Sequence, residues 1–297
     1  MSATTVEASR PAGTMIGIFA LLGAVVAMSI SPSIVRFADV GPLASAFWRV
    51  FLALPVLWLW MRAEEKQQGR KSAGSWSLPI ILTGIAFAFD LLFWHLAIMR
   101  TSIANATFFA TMSPLWVIII SWLVYRLVPS KAIVLGLFLC ICGGTTLIYQ
   151  SMSLNPAHAV GDFLGICTGV FCGAYFVTVG AARKTTGPAR VTFEMSIISA
   201  AILGLVALYQ EGNLLPHSLN GWLILLLLAL VCHAGGQGLL TIALGRLPTT
   251  FSSLVIFLEA LCAAGFAWIL QNEPVSLIQA FGGAVVLAGI WIARPRK

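Results

Sequence analysis

The chain is a succession of long apolar segments joined by short polar connections, and this pattern restricts the fold more than any other feature. An α-helix needs roughly 20 apolar residues to cross a hydrocarbon core of about 30 Å. Backbone in lipid must satisfy its own hydrogen bonds, so such segments are predicted to be helical. Ten segments are of about this length: 14–37, 42–62, 77–99, 102–126, 130–150, 160–182, 189–209, 220–244, 248–271 and 275–293. We therefore predict an all-α polytopic membrane protein with ten transmembrane helices.

The composition excludes a soluble fold and a nucleic-acid partner. Charged residues make up 9% of the chain, whereas soluble domains use about 25% to cover their surface. The net charge of +7 comes from basic residues scattered singly between apolar runs, not from a basic groove. The six cysteines lie within apolar runs without metal-ligand spacing. We expect the lipid bilayer as partner, no nucleic acid, no metal and no cofactor.

The basic residues also orient the chain. With the N-terminus in the cytoplasm, the Lys and Arg residues of the connections fall almost entirely on the cytoplasmic side. Only Arg36 and Arg100 lie on the opposite side, and Arg49 lies within a span. The segment 14–37 is too long for the apolar core of a signal peptide, so we expect it to remain as the first span. Both termini are then predicted to be cytoplasmic.

The two halves of the sequence resemble each other weakly. A shift of 145 positions superposes Arg49 on Glu194, Pro114 on Glu259, Pro129 on Pro274 and Gly144 on Gly289, and a shift of 146 superposes Ala97 on Ala243 and Arg100 on Arg246. We predict a cytoplasmic tail, 1–13, and two five-helix repeats, 14–151 and 152–297. Five spans per repeat is an odd number, so the repeats have inverted topology, which places a ligand site near the bilayer midplane.

Several spans carry polar and aromatic residues on one helical face, where they point at protein or water instead of lipid. The residues predicted to bind substrate are Asp90, Phe93, Trp94, Asn105, Phe109, Trp116, Phe171, Tyr175, His233, Gln237 and Glu259. The alternative for Trp116 and Tyr175 is simple packing, and Asn105 and Gln237 could equally bond across helices. His95, near the outer interface, is expected to be solvated or to cap a helix.

Ionisable groups within spans are costly and usually pair or line water. Glu259 and His233 are the deepest, and we predict that they meet near the midplane and bind a proton or the ammonium group of an amino acid. The alternative for Glu259 is a protonated, hydrogen-bonded structural acid. A structural role is favoured for Glu194 and for Arg49, which could pair with Asp39 or Asp90.

Glycines predict two further features. Gly161, Gly165, Gly169 and Gly173 recur every four residues, which indicates a seam where another backbone approaches closely. The cluster His233–Gly238 carries three glycines in mid-span and is predicted to bend.

The chain resembles the drug/metabolite transporter superfamily, EamA type. The resemblance rests on two five-span halves, Ala104 and Ala106 at the start of the fourth span, Pro114 in its middle, Val128–Ser130 and Glu273–Ser276. Within the superfamily the chain looks most like the YddG-type exporters of aromatic and other neutral amino acids. The resemblance implies a bacterial inner-membrane secondary transporter, not an enzyme, that works by alternating access, with a small-molecule substrate and a monomeric state.

Other functions remain open at this point. A multidrug exporter of cationic compounds would also suit aromatic residues and a buried acid. A carrier of phosphorylated substrates would need several deep Lys or Arg residues, and only Arg49 is available. An intramembrane enzyme is disfavoured because no His-Glu-x-x-His motif is present. A channel would differ from a carrier in its much faster flux.

Overall fold

The computed structural model describes residues 11–35, 37–68, 75–101, 103–148, 156–271 and 276–295, and all regular structure in these ranges is helical. The α-helices are α1 Pro11–Ser29, α2 Ser31–Val35, α3 Pro42–Phe51, α4 Leu54–Gln68, α5 Leu78–Ile98, α6 Ile103–Thr111, α7 Ser113–Tyr125, α8 Lys131–Ile148, α9 Ala159–Ala182, α10 Pro188–Glu211, α11 Leu219–Leu227, α12 Gly238–Leu244, α13 Thr249–Val255, α14 Phe257–Gln271 and α15 Leu277–Ala293. A π-helical segment, Leu228–Gln237, joins α11 to α12, and a 3-10 turn precedes α9.

Within the described residues, six helices are long and apolar enough to cross a membrane. They are Pro42–Gln67, Leu78–Ile98, Phe108–Tyr125, Ala159–Ala182, Pro188–Glu211 and Leu219–Leu244. The remaining predicted ranges contain shorter apolar helices, at Gly13–Ser29, Lys131–Thr146, Thr249–Cys262 and Ala280–Ala293. The protein is therefore an all-helical, polytopic membrane protein.

Several spans are interrupted, and local chemistry explains where. Proline lacks a backbone donor and clashes with the carbonyl four residues earlier, so a helix breaks just before it. The gaps between α1 and α2, α3 and α4, and α6 and α7 each lie shortly before Pro32, Pro55 and Pro114. The break between α13 and α14 has no proline. There Ser253 Oγ donates to the Thr250 carbonyl at 3.0 Å, a back-bond that bends helices.

The eighth predicted span departs from α-geometry where the glycine cluster lies. The sequence predicts a bend at His233–Gly238, and Leu228–Gln237 instead forms a π-helix, whose turns are wider than those of an α-helix. The chain continues into α12 without a break in helical backbone. The glycine cluster therefore lies in a stretch of wider helical turns.

The helices pack in a small number of extensive pairs. The largest contact joins α8 to α15, followed by α5 with α9, and α10 with the α3–α4 span. Helix α1 packs along the π-segment and α12. Glycines let α8 and α15 approach closely, since a Cβ on Gly136 would lie 2.7 Å from the Gly289 carbonyl oxygen.

The predicted glycine seam on α9 is confirmed. A Cβ on Gly165 would lie 3.1 Å from Phe109, and one on Gly173 would lie 2.6 Å from Trp116 Cβ. A Cβ on Gly161 would meet the backbone of Arg100 at 2.5 Å. Glycine at these positions therefore lets the α6–α7 span lie against the α9 backbone.

Two glutamates cap the helices of an antiparallel pair reciprocally. Glu211, the last residue of α10, accepts hydrogen bonds from the backbone N–H groups of Leu43 (2.8 Å) and Ala44 (2.9 Å) in the first turn of α3. Glu64, in the last turns of α4, accepts from the Ala189 N–H at 3.1 Å in the first turn of α10. The unpaired donors of each helix N-terminus are thus satisfied by a carboxylate from the other helix.

The same local sequence accompanies both caps. Gly41 and Gly187 are the N-cap residues of α3 and α10, and each precedes a proline in the first helical turn. A Cβ on Gly41 would collide with the Glu211 carboxylate, and one on Gly187 would lie 2.6 Å from Glu64 Oε2. Glycine leaves the space that each incoming carboxylate occupies.

The structural interpretation of Glu194 is also confirmed. Its carboxylate accepts hydrogen bonds from Ser75 Oγ (2.7 Å), the Trp76 N–H (2.7 Å) and Arg190 (2.9 Å). Arg190 also pairs with Glu65 at the end of α4. This network ties α10 to α4 and to the connection before α5.

We predict that Gly173→Ala lowers the thermal midpoint of the detergent-purified protein. Overpacking of this kind costs about 1–3 kcal/mol, and the added methyl group would meet Trp116. The matched control is Gly265→Ala in α14, where a Cβ would have no neighbour within 4 Å. An equal change in both variants would contradict a special role of the seam at position 173.

Glu211→Ala is expected to destabilise the protein by about 0.5–2 kcal/mol, the usual cost of losing a helix N-cap. Two backbone donors of α3 would lose their partner. Chemical denaturation monitored by tryptophan fluorescence measures the change. Gln210→Ala is the control, because Gln210 is exposed. Equal stability of the two variants would contradict the capping role.

Candidate functional site

A cavity of about 140 Å³ lies between the helices. Its walls come from α1, α2, α3, α5, the α6–α7 span, α9, the end of the π-segment, α12 and the region where α13 meets α14. The cavity is similar in size to the apolar cavity of about 150 Å³ that binds benzene in an engineered protein. It therefore has room for one small organic molecule.

Three charged side chains line this cavity: Arg49 of α3, Asp90 of α5 and Glu259 of α14. Within the described residues, no ion pair joins Arg49 to either carboxyl group. The three groups thus face one cavity without touching each other.

Arg49 is held in place by few contacts of its own. Its side chain is buried, with the residue 8% exposed, and Nη1 donates to Ser31 Oγ at 3.2 Å. Nε is buried without a hydrogen-bond partner in the described part of the chain. Asp39, a candidate partner from the sequence, instead accepts from the His217 N–H at 3.1 Å. The guanidinium is therefore directed into the cavity with donors unused.

The remaining walls are aromatic and hydrogen-bonded. Tyr175 donates its hydroxyl to Gln237 Oε1 at 2.6 Å, and Gln237 Nε2 lies 3.4 Å from Met28 Sδ. The rings of Phe87 and Tyr175 are 5.2 Å apart, and Trp94 lies on the same wall as Asp90. These contacts fix the orientation of the Gln237 amide and of the Tyr175 ring.

The structure brings five of the predicted site residues together at the cavity: Asp90, Trp94, Tyr175, Gln237 and Glu259. The other predicted residues lie elsewhere or outside the described side chains.

Four predicted aromatic residues pack against helices instead of lining the cavity. Phe93 and Phe171 stack with Phe89, with ring centroids 5.2–5.9 Å apart. Phe109 and Trp116 cover the glycine seam of α9. The side chain of Asn105 lies outside the described residues. Helical periodicity therefore predicts which side of a helix faces protein. It does not predict whether that side lines a cavity or packs against another helix.

His233 does not meet Glu259 in this structure. It is fully buried, its Nε2 lies 2.8 Å from Ser196 Oγ, and its ring stacks on Phe87 at 5.3 Å. The expectation for His95 is wrong as well. His95 is 2% exposed and its Nδ1 bonds the Leu91 carbonyl of its own helix at 2.7 Å. Both imidazoles are held by neighbouring protein groups.

Arg49 lines the cavity, although the sequence favours a structural role for it and does not place it among the substrate-binding residues. The signal was present, because a basic residue within a span usually marks a water-lined or substrate-binding position. Ser113 also lines the cavity, and its buried Oγ has no hydrogen-bond partner in the described ranges. A lone serine in an apolar run carries no comparable signal.

Within the described residues there is no group of three or more His, Cys, Asp or Glu side chains with metal-binding geometry. What the site offers is a guanidinium, two carboxyl groups, an amide, a thiol, several hydroxyl groups and aromatic faces.

Comparison with known proteins identifies relatives over most of the chain. Residues 15–149 and, separately, 159–294 match the EamA-like transporter family. The pseudopaline exporter of Pseudomonas aeruginosa is 26% identical over 84% of this chain and 86% of its own length. An uncharacterized transporter of Archaeoglobus fulgidus is 28% identical over 66% of this chain and 69% of its own.

A protein of known crystal structure has the same fold. The two superpose with a TM-score of 0.79, covering 96% of this chain and 97% of the other, at 18% sequence identity.

We predict that Tyr175→Phe destabilises the protein, because Gln237 would lose its bond in a buried site. Hydrogen bonds between membrane helices contribute about 0.6 kcal/mol on average and up to about 1.7. Reversible unfolding in mixed micelles would measure the loss. Tyr209→Phe is the matched control, since Tyr209 is 87% exposed. No difference between the variants would mean that the Tyr175 hydroxyl contributes nothing to stability.

Proposed function

We propose that this protein exports small neutral metabolites, among them aromatic and other neutral amino acids. The premise is that the chain belongs to the EamA-like transporter family. The cavity carries the proposal. It is enclosed by helices from both halves of the chain, and it combines aromatic faces with a few fixed charges. Such a combination of apolar walls and a small number of polar groups is typical of small-molecule sites.

The proposed architecture is ten spans in two inverted five-helix repeats. In two five-span repeats, the third span (α5) corresponds to the eighth, and the sixth span (α9) corresponds to the first (α1). The contact of α5 with α9 should therefore recur between the eighth span and α1, and α1 does pack along the π-segment and α12. The fifth span should pack on the tenth and the second on the seventh, as α8 does on α15 and the α3–α4 span does on α10. The reciprocal Glu64 and Glu211 caps also support this relation.

Inverted repeats provide two mirror-related conformations around one central site. We infer that the two halves, 14–151 and 152–297, rock against each other and expose the cavity to each side in turn. The relative from Pseudomonas aeruginosa is named as an exporter, which supports outward transport. The proposed setting is a bacterial inner membrane, with a monomeric protein and cytoplasmic termini.

A second candidate is the export of cationic compounds, and the cavity itself favours it in part. Asp90 and Glu259 could attract a cation, and Trp94 could stack on it. Arg49 faces the same space and would repel that cation. A neutral amino acid, which carries an ammonium group and a carboxylate, therefore matches the whole set of groups better.

Glu259 is the proposed site of proton coupling. Its carboxyl group lines the cavity and forms no hydrogen bond with a side chain or backbone group of the described ranges, so it could exchange a proton with substrate or water. His233 is engaged by Ser196 and does not line the cavity. The coupling role proposed for the pair thus falls to the glutamate.

Transport in proteoliposomes tests the proposal. We expect counterflow of labelled phenylalanine and alanine, with a wild-type rate that responds to an imposed pH gradient. Glu259→Gln should remove that response, because an amide cannot take up a proton. His233→Asn is the control and should retain it. Equal pH responses in wild type and Glu259→Gln would exclude Glu259 as the coupling group, and absence of counterflow for every neutral amino acid would refute the substrate class.

A further inference from the structure

The charges around the cavity are arranged in an unusual way. Arg49, Asp90 and Glu259 face one space, yet the guanidinium forms no ion pair with either carboxyl group. A buried guanidinium without an ion-pair partner is unfavourable unless something else compensates its charge. A guanidinium cannot avoid this cost by losing its proton. The gap between the groups is therefore where a compensating molecule would fit.

Arg49 has the free donors that such a molecule requires. Only Nη1 is engaged, with Ser31 Oγ, and the buried Nε has no partner in the described part of the chain. A guanidinium presents parallel donors that match the two oxygens of a carboxylate. A carboxylate bound there would replace the missing hydrogen bonds of a side chain that is 8% exposed.

Asp90 and Glu259 supply the opposite chemistry. Neither carboxyl group forms a hydrogen bond or ion pair with another described residue. An ammonium group brings three donors and a positive charge to such acceptors. The rings of Phe87, Trp94 and Tyr175 then form the wall available to an apolar side chain.

We propose that Arg49 is the specificity-determining residue of this cavity, and that it binds the free carboxylate of a zwitterionic substrate whose ammonium group lies against Asp90 and Glu259. This inference rests on the proposed function and narrows it to compounds with both groups. A zwitterion adds no net charge to the buried site. An amine or an amino-acid amide would satisfy the carboxyl groups but leave Arg49 without a carboxylate partner.

The test compares four compounds that differ only in these two groups. Purified protein is equilibrated with labelled L-phenylalanine, and L-phenylalaninamide, phenethylamine and 3-phenylpropanoate compete for binding. Alanine, alaninamide, ethylamine and propanoate form a parallel smaller series, suited to a cavity of about 140 Å³. We expect the amino acid to bind at least about tenfold more tightly than its amide or amine, since truncating one partner of a buried charge pair costs at least this much.

Variants identify the residue responsible. Arg49→Gln should weaken amino-acid binding by at least about tenfold and bring the amino acid and its amide to similar affinity. Arg49→Lys should restore little, because an ammonium cannot make the paired contact. Arg62→Gln is the matched control, because the Arg62 side chain in α4 is 60% exposed. The wild-type comparison of the four compounds stands even if an Arg49 variant fails to fold.

The outcomes separate the two proposals. Equal wild-type affinity for amino acid, amide and amine would overturn the role of Arg49, even if counterflow of phenylalanine succeeded. Unchanged selectivity in Arg49→Gln would do the same. Selective binding of the amino acid without counterflow would support the role of Arg49 and refute the transport function. Absence of binding by both series would overturn both.

Discussion

The carboxylates of Glu64 and Glu211 fix the relation between the two helices that carry the rest of the arrangement. Each closes the N-terminus of the other helix, so α10 and the α3–α4 span are joined at both ends. This joint also sets the depth of Arg49, which lies two turns into α3. A shift of the pair by one turn, about 5.4 Å, would carry the guanidinium away from the cavity.

Helix α9 packs closely against its neighbour on one side and borders the cavity on another. On α9, the glycine row lies against the α6–α7 span with no space left for a methyl group. Thr168, Cys172 and Tyr175 of the same helix face the cavity. The close approach on one side and the opening on the other are thus produced by residues only a few positions apart in sequence.

Much of the helical architecture was predictable, and the site only in part. Apolar length placed the helices and glycine spacing placed the α9 seam, because both depend on local sequence. The predicted stripes included Tyr175 and Glu259 but also Trp116, which covers the seam. Helical periodicity gives the direction of a side chain within its helix, while the identity of the neighbour depends on packing across the chain. The same limit applies to Arg49, whose position at the cavity depends on packing across the chain.

The π-segment makes the orientation of α12 depend on the number of residues before it. Each hydrogen bond of a π-helix spans one residue more than in an α-helix, so the face that α12 presents is set by the length of Leu228–Gln237. Removal of a single residue there would rotate Leu240 and Thr241 by about 100° about the helix axis. Substitutions within the segment are consequently expected to be tolerated far better than insertions or deletions. This difference should hold even at positions that touch no ligand.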